Sequence, residues 1–181
     1  MYTFDGDMSA EPWKTDFYYM DLPDLSEDCL YLNVATNAAA GDEQMPVYVW
    51  FHGGGLRHGY SSEVEFDPNA LASKGVIVVT VGQRLGVFGY LALPQLSEES
   101  GYNGSGNYGL MDEIKAMEWV KNNIAAFGGD PNNITVGGQS GGTSKSAALF
   151  VAEQSRDMAQ RAIWESGLKW TGKFTPLADA E

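Results

Sequence analysis

A serine flanked by glycines, GQSGG at residues 138–142, is the first feature of this sequence that could do chemistry. The apolar run ITVG at 134–137 precedes it, and TSKSAALFVAEQ at 143–154 follows with a helical composition. Between a strand and a helix, glycines permit a sharp turn that exposes the serine hydroxyl. The helix dipole and a free N–H group there favour negative charge on a nearby oxygen. We therefore interpret Ser140 as a candidate nucleophile.

The alternative for the same motif is a glycine-rich turn, or a phosphate-binding loop, in which Ser140 has no catalytic part. A nucleotide-binding P-loop would need a Gly-Lys-Ser/Thr sequence after the glycines, and none follows here. The motif alone does not distinguish a catalytic serine from a structural turn, so other features of the chain must decide between them.

A second glycine loop, FHGGG at 51–55, directly follows the apolar run VYVWF at 47–51. Consecutive glycines let the backbone turn its N–H groups towards one point, as an oxyanion hole requires. We predict that the amides of Gly54 and Gly55 act with that of Gly141 as oxyanion donors. A loop that merely needs unusual φ angles is the alternative for this motif alone. Two such motifs, each after an apolar run, favour the catalytic interpretation.

The elements that must position these loops alternate between strands and helices. Apolar runs at 29–35, 47–51, 76–82, 134–137 and 161–166 are typical of strands, and 67–75, 110–124 and 143–154 are typical of helices. This order predicts a doubly wound, mostly parallel α/β sheet with right-handed crossovers. The final PLADAE resembles the first turn of a further helix, so we expect the fold to be incomplete in this chain.

Composition excludes several classes of function. A net charge of −13 argues against nucleic-acid binding, which needs a basic face. No apolar run reaches the roughly 18 residues of a membrane span, and the N-terminal MYTFDGDMSAEPW lacks the marks of a signal peptide. We therefore expect a cytoplasmic protein that does not bind membranes. One cysteine and two histidines are too few for a zinc site, and no metal or organic cofactor is expected.

Several segments resemble the type-B carboxylesterases, the family of the bacterial para-nitrobenzyl esterases and the cholinesterases. FGGDPNNITVGGQSGG at 127–142 is similar to the serine-active-site pattern of that family, and SEDCLYLNV at 26–34 is similar to its second signature. Ala35 and Asn37 depart from what usually follows that signature. The segments HGGG (52–55), QRLGVFGYL (83–91), NYGLMDEIKAMEWVKNNI (107–124) and RAIWESG (161–167) follow the family in the same order. The resemblance covers roughly residues 12–180.

This resemblance implies an α/β-hydrolase fold, with residues 1–181 as the N-terminal part of a single domain. It implies hydrolysis of small-molecule carboxylic esters through an acyl-enzyme on Ser140, with Gly54, Gly55 and Gly141 as oxyanion donors. Ser166 matches a serine that lies near the triad acid in the family, and a cap at the end of a strand is the alternative. The resemblance leaves the acyl and alcohol preferences open.

Two residues differ from those usual in the family, and one cysteine lacks the disulfide partner that it has in secreted members. Gln139 stands where the family usually has Glu, and Gly141 where it usually has Ala. Neither change removes a backbone donor, so we expect them to tune activity. Cys29 matches a cysteine that is disulfide-bonded in secreted members, and as the only cysteine of this chain it is expected to be a buried thiol.

The acid and the histidine of a triad follow the serine along the chain of an α/β-hydrolase. No histidine follows Ser140 here, and we expect a structural or rim role for His52 and His58. We therefore expect a complementary C-terminal polypeptide to supply the acid and the histidine, and to cover apolar faces of the last strands and helices. The alternatives are an inactive esterase-like binding module or fragment and a hydrolase of the hormone-sensitive-lipase type. The first usually loses the nucleophile or the glycine loop, and the second lacks the SEDCLYLNV segment.

Overall fold

The computed structural model describes residues 26–167 and 175–181, so the N-terminal stretch considered above for a signal peptide lies outside the described residues. A five-stranded sheet forms the centre of the described part, in the order β1-β3-β2-β4-β5. Its strands are β1 (Leu32–Ala35), β2 (Met45–Phe51), β3 (Ile77–Val81), β4 (Gly129–Gln139) and β5 (Arg161–Glu165). Strand β2 pairs parallel with β3 and β4, and β4 pairs parallel with β5, whereas β1 pairs antiparallel with β3. The mostly parallel sheet is therefore confirmed.

Six α-helices lie between and after these strands in the described residues. They are α1 (Asn69–Ala72), α2 (Gly86–Tyr90), α3 (Pro94–Glu99), α4 (Tyr108–Asn123), α5 (Gly141–Val151) and α6 (Leu177–Ala180). Short 3-10 turns occupy Val64–Phe66 and Ile124–Phe127. The second turn ends at Gly128, whose left-handed φ of 87° closes the long helical segment.

The core forms where the central strands face α4 and α5. Every residue of β3 is buried, which explains why its sequence lacks the alternation of a half-exposed strand. Helix α4 contributes Met117 and Val120 from one face, and Ile124 continues that face at helical spacing. The remaining buried members of the cluster come from β2, β3, β4 and α5: Val47, Val49, Phe51, Ile77, Val79, Val81, Ile134, Val136 and Leu149.

The predicted limits of several elements were wrong. Strand β1 covers only Leu32–Ala35, and Leu30, which lies in the predicted strand at 29–35, is 57% exposed. Strand β4 is longer than predicted, and the predicted helix at 67–75 is the single turn α1. Helix α5 begins two residues earlier than predicted and ends three residues earlier. The earlier start places Ser140 immediately before the first turn of α5.

Candidate active site

Ser140 occupies the tight turn between β4 and α5. Its φ of 53° and ψ of −116° are rare for a residue with a side chain and mark a strained turn. The Ser140 N–H donates to the Glu165 carbonyl at 2.9 Å, and its own carbonyl accepts from the Thr143 N–H at 3.0 Å. These two bonds hold the strained residue in place, and its side chain is half-buried.

Gly142 explains why the turn needs glycine on its helical side. A methyl group built there would lie only 1.9 Å from the Phe51 carbonyl oxygen and 2.8 Å from that of His52. The first turn of α5 therefore packs directly on the backbone at the end of β2. This close approach brings Ser140 to the glycine loop that follows β2.

The glycine loop is shaped by hydrogen bonds to its carbonyl groups. Gly54 and Gly55 have φ angles of 85° and 60°. The Gly54 carbonyl accepts from the N–H groups of Arg57 at 3.0 Å and His58 at 3.3 Å, and the Gly53 carbonyl lies 3.0 Å from Nδ1 of His52. In a planar trans peptide the N–H points opposite to the carbonyl. Fixing the carbonyls of Gly53 and Gly54 therefore fixes the N–H directions of Gly54 and Gly55.

The third predicted donor, Gly141, is fixed in the same way. Its N–H belongs to the peptide whose carbonyl, on Ser140, accepts from Thr143. A methyl group built on Gly141 would lie 2.8 Å from the Gly55 nitrogen, and one built on Gly53 would lie 3.6 Å from Cβ of Ser140. The structure thus brings Ser140, Gly141 and the glycine loop together. The oxyanion role of these amides remains a prediction.

His52 is engaged within the loop that it precedes. Because a carbonyl oxygen can only accept a hydrogen bond, Nδ1 of His52 carries the proton in its contact with Gly53. Burial of the ring, with the nearby Lys145 ammonium, holds the pKa of His52 well below its usual value, so the ring is neutral. His58 is half-buried, and its backbone N–H contributes to the same loop.

Ser166 directly follows β5 and has a positive φ of 55°. The preceding residue, Glu165, accepts bonds on its carbonyl from both the Ser140 N–H and the Thr143 hydroxyl, the latter at 2.7 Å. A methyl group built on Gly167 would lie 2.7 Å from the Ser140 carbonyl oxygen. Ser166 therefore belongs to a segment packed against the serine turn. Its predicted support of a triad acid stays a prediction.

A cluster of buried polar side chains beneath the glycine loop was not predicted. Its members are Glu63, Gln83, Glu113 and Lys145, each at most 5% exposed. The Gln83 amide donates to Glu113 at 2.8 Å, and the Lys145 ammonium donates to the His52 carbonyl at 3.1 Å. The sequence carries no local signal for this cluster, because charged residues on helices and loops are usually exposed.

Burial dominates the acid–base behaviour of this cluster. It raises the pKa of Glu63 to about 7 and also raises the pKa of Glu113, because a carboxylate loses its hydration there. The same effect lowers the pKa of Lys145, while the nearby carboxylates of Glu113 and Glu63 oppose that decrease. Burial therefore favours the neutral form of each of these groups, and the attraction between Lys145 and the two carboxylates only partly opposes that effect.

Cys29 is buried and unpaired with any other cysteine, as predicted. Within residues 26–167 and 175–181, no group of three or more His, Cys, Asp or Glu side chains could hold a metal ion. The helices of that same part of the chain are too short or too polar to cross a membrane.

A serine on a strained strand–helix turn, beside a glycine loop at the end of the neighbouring parallel strand, is the architecture of the α/β-hydrolases. A solved structure of PNB esterase superposes on this chain with a TM-score of 0.73 at 46% identity, covering 81% of this chain and 31% of that one. Residues 5–177 match the carboxylesterase family. The chain belongs to that family.

Two relatives illustrate the similarity and its extent. The chain is 47% identical over 153 residues to the fumonisin B1 esterase of Sphingopyxis macrogoltabida, covering 84% of this chain and 28% of that protein. It is 46% identical over 154 residues to the para-nitrobenzyl esterase of Bacillus subtilis, covering 84% and 30%. The chain therefore spans less than a third of the length of these relatives.

Proposed function

We propose that this chain carries the nucleophile and the oxyanion hole of a serine carboxylesterase. The observation that supports this most strongly is the position of Ser140 on its strained turn, beside backbone amides whose carbonyl partners are all fixed. Donors held in this way need no reorganisation when negative charge develops in the transition state.

In the proposed reaction, Oγ of Ser140 attacks the carbonyl carbon of a small carboxylic ester as a histidine takes its proton. The amides of Gly54, Gly55 and Gly141 stabilise the oxyanion of the tetrahedral intermediate. The intermediate collapses, the alcohol leaves with the proton from the histidine, and an acyl-enzyme remains on Ser140. Water, activated by the same histidine, then attacks the acyl-enzyme and releases the acid.

The histidine and the triad acid are supplied, in this proposal, by a C-terminal polypeptide outside the 181 residues. Two observations support this. Burial of the His52 ring holds its pKa well below the usual value, so it is a poor base for Ser140. The edge strand β5 leaves Ile163 and Trp164 49% and 41% exposed, an apolar surface that a further polypeptide would cover. The 181 residues alone are then expected to have little or no activity.

Hydrolysis of p-nitrophenyl acetate tests the proposed function. The assay uses the 181 residues together with the polypeptide that accompanies them in the source cell, here called the native assembly. We expect S140A to lower kcat by at least about a thousandfold, because the residual rate without a nucleophile is small. Ser144 is an exposed serine of α5, so S144A is the matched control and should keep full activity. Equal activity of S140A and the wild type would exclude the proposal.

A further inference from the structure

Lys145 is a fully enclosed lysine on the helix that begins at the candidate nucleophile. It lies in α5, five residues after Ser140, and is only 2% exposed. Its ammonium group donates to the His52 carbonyl at 3.1 Å. A buried lysine is costly, and an apolar side chain of similar volume would fill the same space with a smaller desolvation penalty. The position of this lysine therefore calls for a reason beyond packing.

The contact of Lys145 falls on the first peptide of the glycine loop. The His52 carbonyl and the Gly53 N–H belong to the same planar unit, so a donor on that carbonyl fixes how the chain enters the loop. The two following carbonyls, of Gly53 and Gly54, are bonded by groups of the loop itself. Lys145 differs from these donors because it reaches the loop from α5. It links the helix that positions Ser140 to the loop that carries the predicted donors.

Titratable groups from three other parts of the chain surround the Lys145 ammonium. Glu113 comes from α4, Glu63 from the segment before the first 3-10 turn, and the neutral His52 ring from the end of β2. Burial lowers the pKa of Lys145, and attraction by Glu113 and Glu63 opposes that decrease. The Lys145 amine is thus held as a hydrogen-bond donor at a backbone carbonyl inside the protein.

We propose that Lys145 is a positioning residue for ester hydrolysis, which holds the entrance of the glycine loop at a fixed place relative to Ser140. This inference rests on the proposed function, because it assigns the loop amides to the oxyanion. Lys145 touches neither substrate nor Oγ of Ser140 in this account. It acts through the peptide group between His52 and Gly53. Loss of Lys145 therefore displaces the amide donors of the loop, which stabilise the transition state more than the bound substrate.

The test compares K145M with K121M in the native assembly. Lys121 is a suitable control because it is a half-buried lysine of α4 that also donates to a backbone carbonyl, that of Pro131. Two readouts are taken: kcat and KM for p-nitrophenyl acetate, and hydrogen exchange of the peptide 51–58 followed by mass spectrometry. Loss of one direct oxyanion donor costs about a hundredfold or more in kcat, so an indirect loss should cost about tenfold to a hundredfold.

We expect K145M to lower kcat by that factor with KM within about twofold of the wild type, because ground-state binding is unaffected. Exchange in peptide 51–58 should accelerate at least about tenfold, since loop amides exchange through local opening. K121M should change neither quantity. If K145M does not fold, K145Q, which is too short to reach the carbonyl, takes its place. K145R should restore part of the lost kcat, because it retains a charged donor.

Unchanged kcat or unchanged loop exchange in K145M would overturn the inference, as would an equal effect of K121M. A K145M protein with a lower melting temperature but a normal kcat would show a purely structural lysine and would overturn it too. A wild type that hydrolyses no ester overturns the proposed function instead. The exchange comparison then decides by itself whether Lys145 holds the loop.

Discussion

Replacing Gly142 by alanine sets two physical effects of opposite sign against each other. Gly142 lies in the first turn of α5, where helix propensity alone predicts that alanine stabilises the protein by about 1 kcal/mol. The added methyl group, however, would lie 1.9 Å from the Phe51 carbonyl oxygen, about 1.5 Å short of the 3.4 Å at which ordinary contact begins. The blocking atom belongs to the backbone of a buried strand, so no side-chain rotation relieves the overlap.

We therefore expect G142A to be destabilised by about 3 kcal/mol, the upper part of the range for overpacking a dense core. The start of α5 must move away from β2, so reaction of Ser140 with a fluorophosphonate ester should also slow, by at least about tenfold. Thermal unfolding of the native assembly and the rate of labelling measure the two effects. Gly101 has a positive φ of 76° but open space around it, so G101A reports conformational strain without overlap. A G142A protein as stable as the wild type would refute the close approach of α5 to β2.

Two further predictions concern buried charges. Burial raises the pKa of Glu63 to about 7 from its ordinary 4.5, so the unfolded chain loses this proton first and stability falls as pH rises from about 5 to 7. We expect E63Q to remove this pH-dependent loss of stability, which amounts to about 3 kcal/mol in the free energy of unfolding. Parallel pH profiles of E63Q and the wild type in thermal unfolding would contradict this prediction. Asp112 receives a two-pronged ion pair from Arg84 at 2.7 and 2.9 Å, so D112N should lose about 2 kcal/mol in denaturant unfolding. The exposed pair of Lys115 with Glu118 supplies the control E118Q, which should lose less than about 0.5 kcal/mol; equal losses would contradict the prediction.

The sequence predicted the sheet and the placement of the candidate nucleophile because those features depend on local chemistry. Continuous apolar runs identified β2 and β3, and glycine spacing identified the turn at Ser140 and the loop at 53–55. Glycine is informative there because positive φ angles and close backbone contacts exclude other residues. These constraints act within a few residues, so the sequence shows them directly.

Other features depend on contacts between distant segments. The antiparallel direction of β1 is set by its pairing with β3, where Leu32 lies opposite Val81, and nothing within β1 specifies it. Helices α2 and α3 were not predicted, because they are five and six residues long and show too few turns for a periodic pattern. Lys145, Glu63 and Glu113 lie on separate segments of the chain. Within the sequence of its own helix, Lys145 therefore resembles an ordinary solvent-exposed lysine.

Fluorophosphonate labelling of the native assembly tests the central claim most directly. The assembly is treated with the probe, its polypeptides are weighed intact under denaturing conditions, and the adduct is located by peptide mapping. We predict one adduct, on Ser140 within the 181 residues, with the polypeptide that supplies the acid and histidine recovered unmodified. An assembly that hydrolyses esters but carries its adduct on another residue, or an assembly that takes up no probe at all, would contradict the assignment of Ser140 as the nucleophile.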